Sequence, residues 1–363
     1  MEDYYEIDRQ LPSRNEGYSL MPAKQPEGAI DAYNDYRRIL DRKDIDAVIA
    51  AVPDHWHAKI YIDAMDAGKD VYGEKPIALT INQGRAIARK QAETGRVFQT
   101  GSQQRSDALF RKACEYIRNG MLGKIKHVDI GVGGSGRADA IPDSPAPCEL
   151  DWDLWLGAAP KVPYNTQRCH YNFRWFFDYS GGQVTDWGAH HCDITQWALG
   201  MDETGPRYVE GWGKTQQPNY YETFTDFEFT FTYANGITAK LFSGENMVTF
   251  HGEKGTLKVN RGFLESNPKD LMDQPLPSDA VRLYVSDDHM QNWLDCIKTR
   301  KPTICPAEVG HRSLTLPHIA NICGKVGRKL EWDPVKETFV NDNEANQHLD
   351  REARAPYHYL AGV

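Results

Sequence analysis

The chain has 363 residues, enough for two domains and a sizeable core, with 40% hydrophobic and 26% charged residues. Its net charge of −9 leaves no cationic footprint for nucleic acid or an anionic membrane, so neither is expected as a partner. No apolar run approaches the roughly 20 residues that span a bilayer, and the first residues lack a basic segment followed by an apolar one. Seven scattered cysteines without a CxxC pair fit reduced thiols, so the default compartment is the cytoplasm, unless a late start hides an export signal.

Residues 1–29 are polar and interrupted by Pro12, Gly17, Pro22, Pro26 and Gly28. They read as an irregular arm. From Ile30 the pattern turns to α/β. AIDAYNDYRRILDRKDI predicts a helix, and DAVIAAVP a buried strand ended by Pro53. HAKIYIDAMDAGKD predicts a helix stopped by Gly68, DVYGEKP a second strand, TINQGRAIARKQAETG a helix capped by Thr80, and VFQTGSQQR a third strand. Such alternation implies a parallel sheet with right-handed crossovers, and ligands gather beyond the carboxyl ends of its strands. Those ends are Pro53-Asp54-His55-Trp56-His57, Glu74-Lys75-Pro76 and Ser102-Gln103-Gln104-Arg105. Either His57 faces the ligand crevice or it begins the next helix.

After a helix at SDALFRKACEYIRNGMLG the character changes. KHVDIGVGG reads as a strand, followed by proline-rich loops and an aromatic, polar section over residues 151–179. Then Thr225, Phe227, Phe229 and Phe231 alternate with Asp226, Glu228 and Thr230, the period of a sheet with one buried face. Asn235-Gly236 and Lys254-Gly255 mark hairpin turns. Helices are expected near 288–299 and 306–326, and a polar, mostly extended tail from Leu330. The layout is thus an irregular arm (1–29), a partial Rossmann-like α/β unit (30–125) and an α+β unit with an open antiparallel sheet (126–363).

The densest chemistry lies in SGGQVTDWGAHHCDITQWALG, residues 180–200. Gly181 and Gly182 suit a close turn. Asp186, His190 and Asp193 then recur at helical spacing on one face, while Val184, Trp187, Ile194, Trp197 and Leu199 supply apolar surface. An imidazole between two carboxylates is expected to have a raised pKa and to carry protons near neutrality. The alternative is a buried helix whose polar residues satisfy one another. His190, His191, Cys192 and Asp193 are metal-ligand types, but neighbours on a helix point about 100° apart, and no metal is assigned. The section from Tyr164 to Trp175 offers Asn172, Arg174 and Trp175 as a pocket wall able to hydrogen-bond hydroxyls and stack on sugar rings.

DAVIAAVPDHWH, DVYGEKP and GGQVTDWGAHHCDI, in that order, resemble the glucose–fructose oxidoreductase and inositol dehydrogenase (Gfo/Idh/MocA) family. The resemblance runs from about Ile30 to at least Leu330. It implies that Lys75, Asp186 and His190 act together on a sugar or cyclitol hydroxyl, with His191 a near alternative for His190. It implies NAD or NADP as cofactor, placed against Pro53, His55, His57, Glu74 and Lys75. It also implies a small carbohydrate substrate near Arg105, Asn172, Arg174, Trp175 and His191, and a homo-oligomer formed through the antiparallel sheet.

One departure stands out. A dinucleotide fold opens with a strand, a GxGxxG turn and a helix, and residues 1–50 contain no such fingerprint. The first βαβ unit therefore reads as missing. Either the recorded start is late, or cofactor is held another way, or none is used. Gly131, Gly133 and Gly136 form a literal GxGxxG, but the prolines that follow forbid the helix whose N-terminus would hold pyrophosphate. Three functions remain open: a dehydrogenase, a redox-neutral glycoside-cleaving enzyme with retained NAD, and a carbohydrate-binding or partner subunit without catalysis.

Overall fold

The computed structural model describes residues 31–359. The arm expected over residues 1–29 lies outside the described residues. The expected first helix is short, α1 at Arg37–Leu40. Only Leu40 of it is buried, so the polar remainder of the segment has no core to pack against. Three parallel strands follow: β1 (Ala47–Ala50), β2 (Asp70–Gly73) and β3 (Phe98–Thr100), paired in that order. Between them run α2 (Asp54–Asp66) and α3 (Ile81–Thr94). The Thr80 hydroxyl accepts from the Gln83 N–H at 3.3 Å and caps α3. Next comes α4 (Ala108–Arg118), capped by Asp107, which leads into β4 (Ile125–Gly131).

A short helix, α5 (Trp152–Leu156), and short 3-10 segments at Thr166–Arg168 and His170–Trp175 interrupt the long aromatic loops. The central helix is α6 (Gln183–Leu199). Five strands follow: β5 (Tyr208–Lys214), β6 (Asp226–Thr232), β7 (Thr238–Phe242), β8 (Met247–Gly252) and β9 (Gly255–Asn260). Then come β10 (Phe263–Asn267), α7 (His289–Thr299) and α8 (Ala307–Val326). The tail is more ordered than its composition suggests. Leu330–Asp333 forms β11, Thr338–Phe339 forms β12, and Asn343–Gln347 forms α9. Trp332 and Phe339, both 1% exposed, supply the apolar anchor that an extended polar reading overlooks.

The second sheet has nine strands in the order β10-β9-β8-β4-β7-β6-β5-β11-β12. Every pairing is antiparallel except β4 with β7. Phe227, Phe229 and Phe231 point into the core as their alternation predicts. Helices α4, α6 and α8 cover that face. The opposite face leaves Trp212 and Glu228 exposed and Lys240 and His251 partly so.

Fourteen of the seventeen residues of α6 are buried. It packs on α8, α4 and the strands β4 and β8. A helix enclosed on all sides must pair its own polar groups, and those pairs define the site. Helices α7 and α8 also reach back to the parallel sheet. The His289 Nε2 donates to the Thr100 carbonyl at 2.9 Å, and the Thr100 N–H to the Cys305 carbonyl at 2.8 Å. Among the described residues no helix is long and apolar enough to cross a membrane, and the cysteines are unpaired.

Candidate active site

Strand β2 ends at Gly73, and the next residues project from the carboxyl edge of the parallel sheet. There the Lys75 ammonium donates to the Asp186 carboxylate at 2.5 Å, joining segments 111 residues apart. The Arg174 guanidinium lies 3.6 Å from the other Asp186 oxygen and stacks against the Tyr171 and Phe173 rings at 4.5 and 4.8 Å. Burial alone would raise the Asp186 carboxyl; the charges of Lys75 and Arg174 hold it below its ordinary value. Gly182, at φ +67°, makes the entry to α6. A Cβ there would meet the Thr223 side chain at 2.6 Å, so only glycine lets the helix start this close to the neighbouring loop.

His190 is 4% exposed. It does not lie between two carboxylates. Asp193, one turn on, gives both oxygens to Arg105 and accepts the Ser313 hydroxyl at 2.7 Å. Burial, with Lys75 and Arg261 nearby, pushes the His190 imidazole well below its ordinary value. The expected upward shift is thus reversed, and the ring is neutral at physiological pH. Its Nδ1 has no hydrogen-bond partner among the described residues, and its face meets Trp187 edge-on at 5.6 Å.

Arg105, expected at the substrate, is 2% exposed. Its guanidinium binds Asp193 at 2.8 Å and Asp202 at 2.7 Å and stacks on Trp197 at 5.1 Å. Its donors are therefore spent on holding α6 to the turn before α4. His191 is fully buried and bonds Asn246 at 2.6 Å, so its Nε2 faces the β7–β8 turn. Asn172 stays partly exposed on the same turn as Arg174, and Trp175 is 6% exposed. Trp175 packs where a Cβ on Gly136 would stand 2.6 Å from its indole nitrogen. That contact accounts for the last glycine of the literal GxGxxG. Gly131 is accounted for by the Glu245 carbonyl, into which any Cβ would run. The backbone after Gly131 continues without a helix to residue 150.

Pro53 is the residue before α2, and His55 and His57 occupy its first turn. His55 Nε2 donates to the Trp155 carbonyl at 2.9 Å. His57 sits between the carbonyls of Pro76 and Val52, each at 2.7 Å, and ties the ends of β1 and β2 together. Burial lowers both imidazoles. Their side chains hold the edge of the sheet in place. Glu74 accepts from the Lys75 N–H at 3.2 Å, and burial raises its carboxyl.

Sequence reasoning missed one pair. The Ser180 hydroxyl donates to Asp54 at 2.5 Å, linking the start of α2 to the glycine turn before α6. Burial pushes the Asp54 carboxyl up to about 7. The signal was available: an acid directly after the proline that ends a strand, and a serine directly before a glycine pair. Among the described residues no group of three His, Cys, Asp or Glu side chains is arranged to hold a metal ion.

Two family models match. Residues 15–102 match the "Oxidoreductase family, NAD-binding Rossmann fold", and residues 121–359 match the "Oxidoreductase family, C-terminal alpha/beta domain". Scyllo-inositol 2-dehydrogenase (NAD(+)) of Bacillus subtilis is 28% identical over 195 residues, 54% of this chain and 46% of the relative. An alpha-N-acetylgalactosaminidase of Shewanella oneidensis is 29% identical over 120 residues, 30% of this chain and 24% of the relative. The chain thus spans about half the length of the first relative and a quarter of the second. The structure of levoglucosan dehydrogenase in complex with NADH and L-sorbose superposes with a TM-score of 0.61 at 18% identity, covering 82% of each chain. That likeness shows a shared fold. With the two models matched in order along one chain, the protein belongs to the GFO_IDH_MocA oxidoreductase family.

Proposed function

We propose that the protein oxidises a secondary hydroxyl of a sugar, sugar derivative or cyclitol, with NAD or NADP as hydride acceptor. The observation that carries this reading is the Lys75–Asp186 pair at the carboxyl edge of the parallel sheet, with the neutral imidazole of His190 nearby, its buried Nδ1 without a hydrogen-bond partner among the described residues.

Each residue has a physical task. The Lys75 ammonium has three N–H donors, and Asp186 takes one. Among the described residues the others have no partner, and they can hold the substrate oxygen and stabilise the charge that develops on it. Asp186 balances that cation and fixes its direction. His190, uncharged, receives the hydroxyl proton directly or through Lys75. Arg174 and Asn172 bind neighbouring hydroxyls, and the Tyr171 and Trp175 rings border the same wall.

The residues present fit the nicotinamide end of the cofactor. The Glu74 carboxyl, mostly buried and accepting only from the Lys75 N–H among the described residues, can accept a carboxamide N–H at the strand end. The glycine turn that enters α6 offers no amide pair to a pyrophosphate, since the Gly182 N–H donates to the Arg174 carbonyl and the Gln183 N–H to the Ser135 hydroxyl, each at 3.0 Å. Bound there, NAD(P) would supply the hydride acceptor.

The test is reduced-nicotinamide formation by the purified chain over a panel of sugars and cyclitols with NAD or NADP. Lys75→Ala and His190→Ala should each lower turnover by roughly 10²–10⁴ with unchanged circular dichroism. Full activity in either variant removes the role given to that residue. A second reading is motivated by the galactosaminidase relative: glycoside cleavage through transient oxidation, with no net reduced nicotinamide. Release of sugar without that signal would favour it. We also assign a homo-oligomer contact to the open face of the nine-stranded sheet, to be checked by light scattering.

A further inference from the structure

Behind the loop that carries Lys75 lies a pocket outside the candidate active site. Its floor is one stripe of α8, with His318, Asn321, Ile322 and Lys325 at the spacing of a single helix face. Its walls are Leu79–Ile81, which follow Lys75 by four residues, and Phe177 and Gly181, which precede α6. Its rim is the tail at His348, Asp350 and Arg351.

The polar groups there are unevenly satisfied. The Lys325 ammonium lies 3.9 Å from the centre of the Phe177 ring and has no ion pair or hydrogen bond among the described residues. The Arg351 guanidinium donates to the Phe177 carbonyl and pairs with no carboxylate among the described residues. The crowding of the pocket and the charge of Arg351 push the Lys325 ammonium down to about 8; crowding likewise lowers Arg351. Asp350 is engaged elsewhere: Oδ1 accepts from the Thr80 hydroxyl and the Arg351 backbone, and Oδ2 from Tyr359. Asp178 and Glu222 act on both cations at a distance greater than an ion pair, and Glu222 accepts from the Phe177 N–H. His318 donates from Nε2 to the Ala78 carbonyl at 3.1 Å, and burial keeps it neutral at about 3. Asn321 is 6% exposed. Its Nδ2 donates to the Gly181 carbonyl at 3.0 Å, and its Oδ1 has no partner.

The pocket thus combines two cations that pair with no carboxylate among the described residues and, on the Asn321 side chain that lines its floor, a buried acceptor without a partner. A bare anion would answer only the donors, and a neutral hydroxyl only the acceptor. We propose that this pocket binds a small oxyanion that also carries an O–H group, its oxygens accepting from Arg351 and Lys325 and its O–H donating to the Asn321 Oδ1. Hydrogen phosphate has that donor and acceptor set; sulfate at neutral pH lacks the O–H. Because Asn321 holds the Gly181 carbonyl and Leu79–Ile81 continue the Lys75 loop, the occupied pocket braces both segments that bring Lys75 to Asp186. It is an effector site for the catalytic pair.

The experiment is calorimetric titration of the full chain with inorganic phosphate at constant ionic strength, with sulfate in a parallel arm. One saturable phosphate site is expected, at least about tenfold weaker in Lys325→Met, the share of one charge-assisted hydrogen bond. Sulfate should bind more weakly than phosphate. Lys75→Ala should keep the saturable phosphate site, its affinity altered only by the coupling to the catalytic pair, which separates this site from the active site. Absence of saturable binding overturns the proposal. So does equal affinity in Lys325→Met, equal affinity for sulfate, or loss of binding in Lys75→Ala. Lys325 is exposed, so its replacement does not threaten folding; Arg351→Met gives a second reading of the same charge pair.

Discussion

Arg105 offers the sharpest test of how the site is bounded. A position at the end of a parallel strand argues for substrate contact, whereas the geometry shows a guanidinium 2% exposed, clamped by Asp193 and Asp202. Replacing it by Met leaves the Asp193 carboxylate, itself 1% exposed, with only the Ser313 hydroxyl. Removing one partner of a buried pair costs about 3–5 kcal/mol, a large share of a typical stability of roughly 5–15 kcal/mol. The expected outcome for Arg105→Met is a Tm lowered by roughly 4–7 °C. Below its melting range, KM should stay near that of the unaltered chain. Adding Asp193→Leu should recover part of the loss, because a buried pair exchanged for apolar side chains is often close to neutral. An unchanged Tm together with a KM raised tenfold or more would refute the structural role and return Arg105 to the substrate.

Two further expectations concern pH. His190 is held well below its ordinary value by burial and neighbouring cations, so it stays neutral through mildly acid solution. The acid limb of kcat should lie well below pH 6.5, and a limb near 6.5 that vanishes in His190→Ala would contradict this environment. For Asp54 the folded carboxyl sits at about 7, against an ordinary value of 3.8. The folded state therefore holds its proton more tightly. The stability this gives is full below the ordinary value and is lost as pH rises through about 7. Asp54→Asn, which keeps the Ser180 contact without the charge, should flatten the fall in Tm between about pH 4 and 7. An equally steep fall in the variant would show that another group carries it.

The legible parts of the fold were those where local pattern and tertiary role agree. The alternation at Phe227, Phe229 and Phe231, the Thr80 cap and the Asn235-Gly236 turn all describe contacts made within a few residues. The order of strands in the nine-stranded sheet, with β4 beside β7 and β8, was not legible, because it is set by pairings more than 100 residues apart. At the site, helical spacing placed Asp186, His190 and Asp193 on one helix but could not say which partner each would take. Both carboxylates are claimed by cations from distant segments, Lys75 and Arg105, which leaves His190 between neither. Spacing tells which side chains share a face, and desolvation decides which of them stay charged. Asp54 escaped notice for the same reason: its raised pKa comes from burial in the folded chain, and its partner Ser180 lies 126 residues away, so the local sequence carries only the serine and the glycine pair.

The proposed function, nicotinamide-dependent oxidation of a sugar or cyclitol through Lys75, Asp186 and His190, rests first on cofactor binding. Calorimetric binding of NAD and NADP to the purified chain, with mass spectrometry of any co-purifying dinucleotide, tests it most directly. Saturable binding of one dinucleotide at micromolar affinity, or a retained one, is expected, weakened when Glu74 is replaced by Ala. Absence of binding by either nucleotide, with none retained, would contradict it.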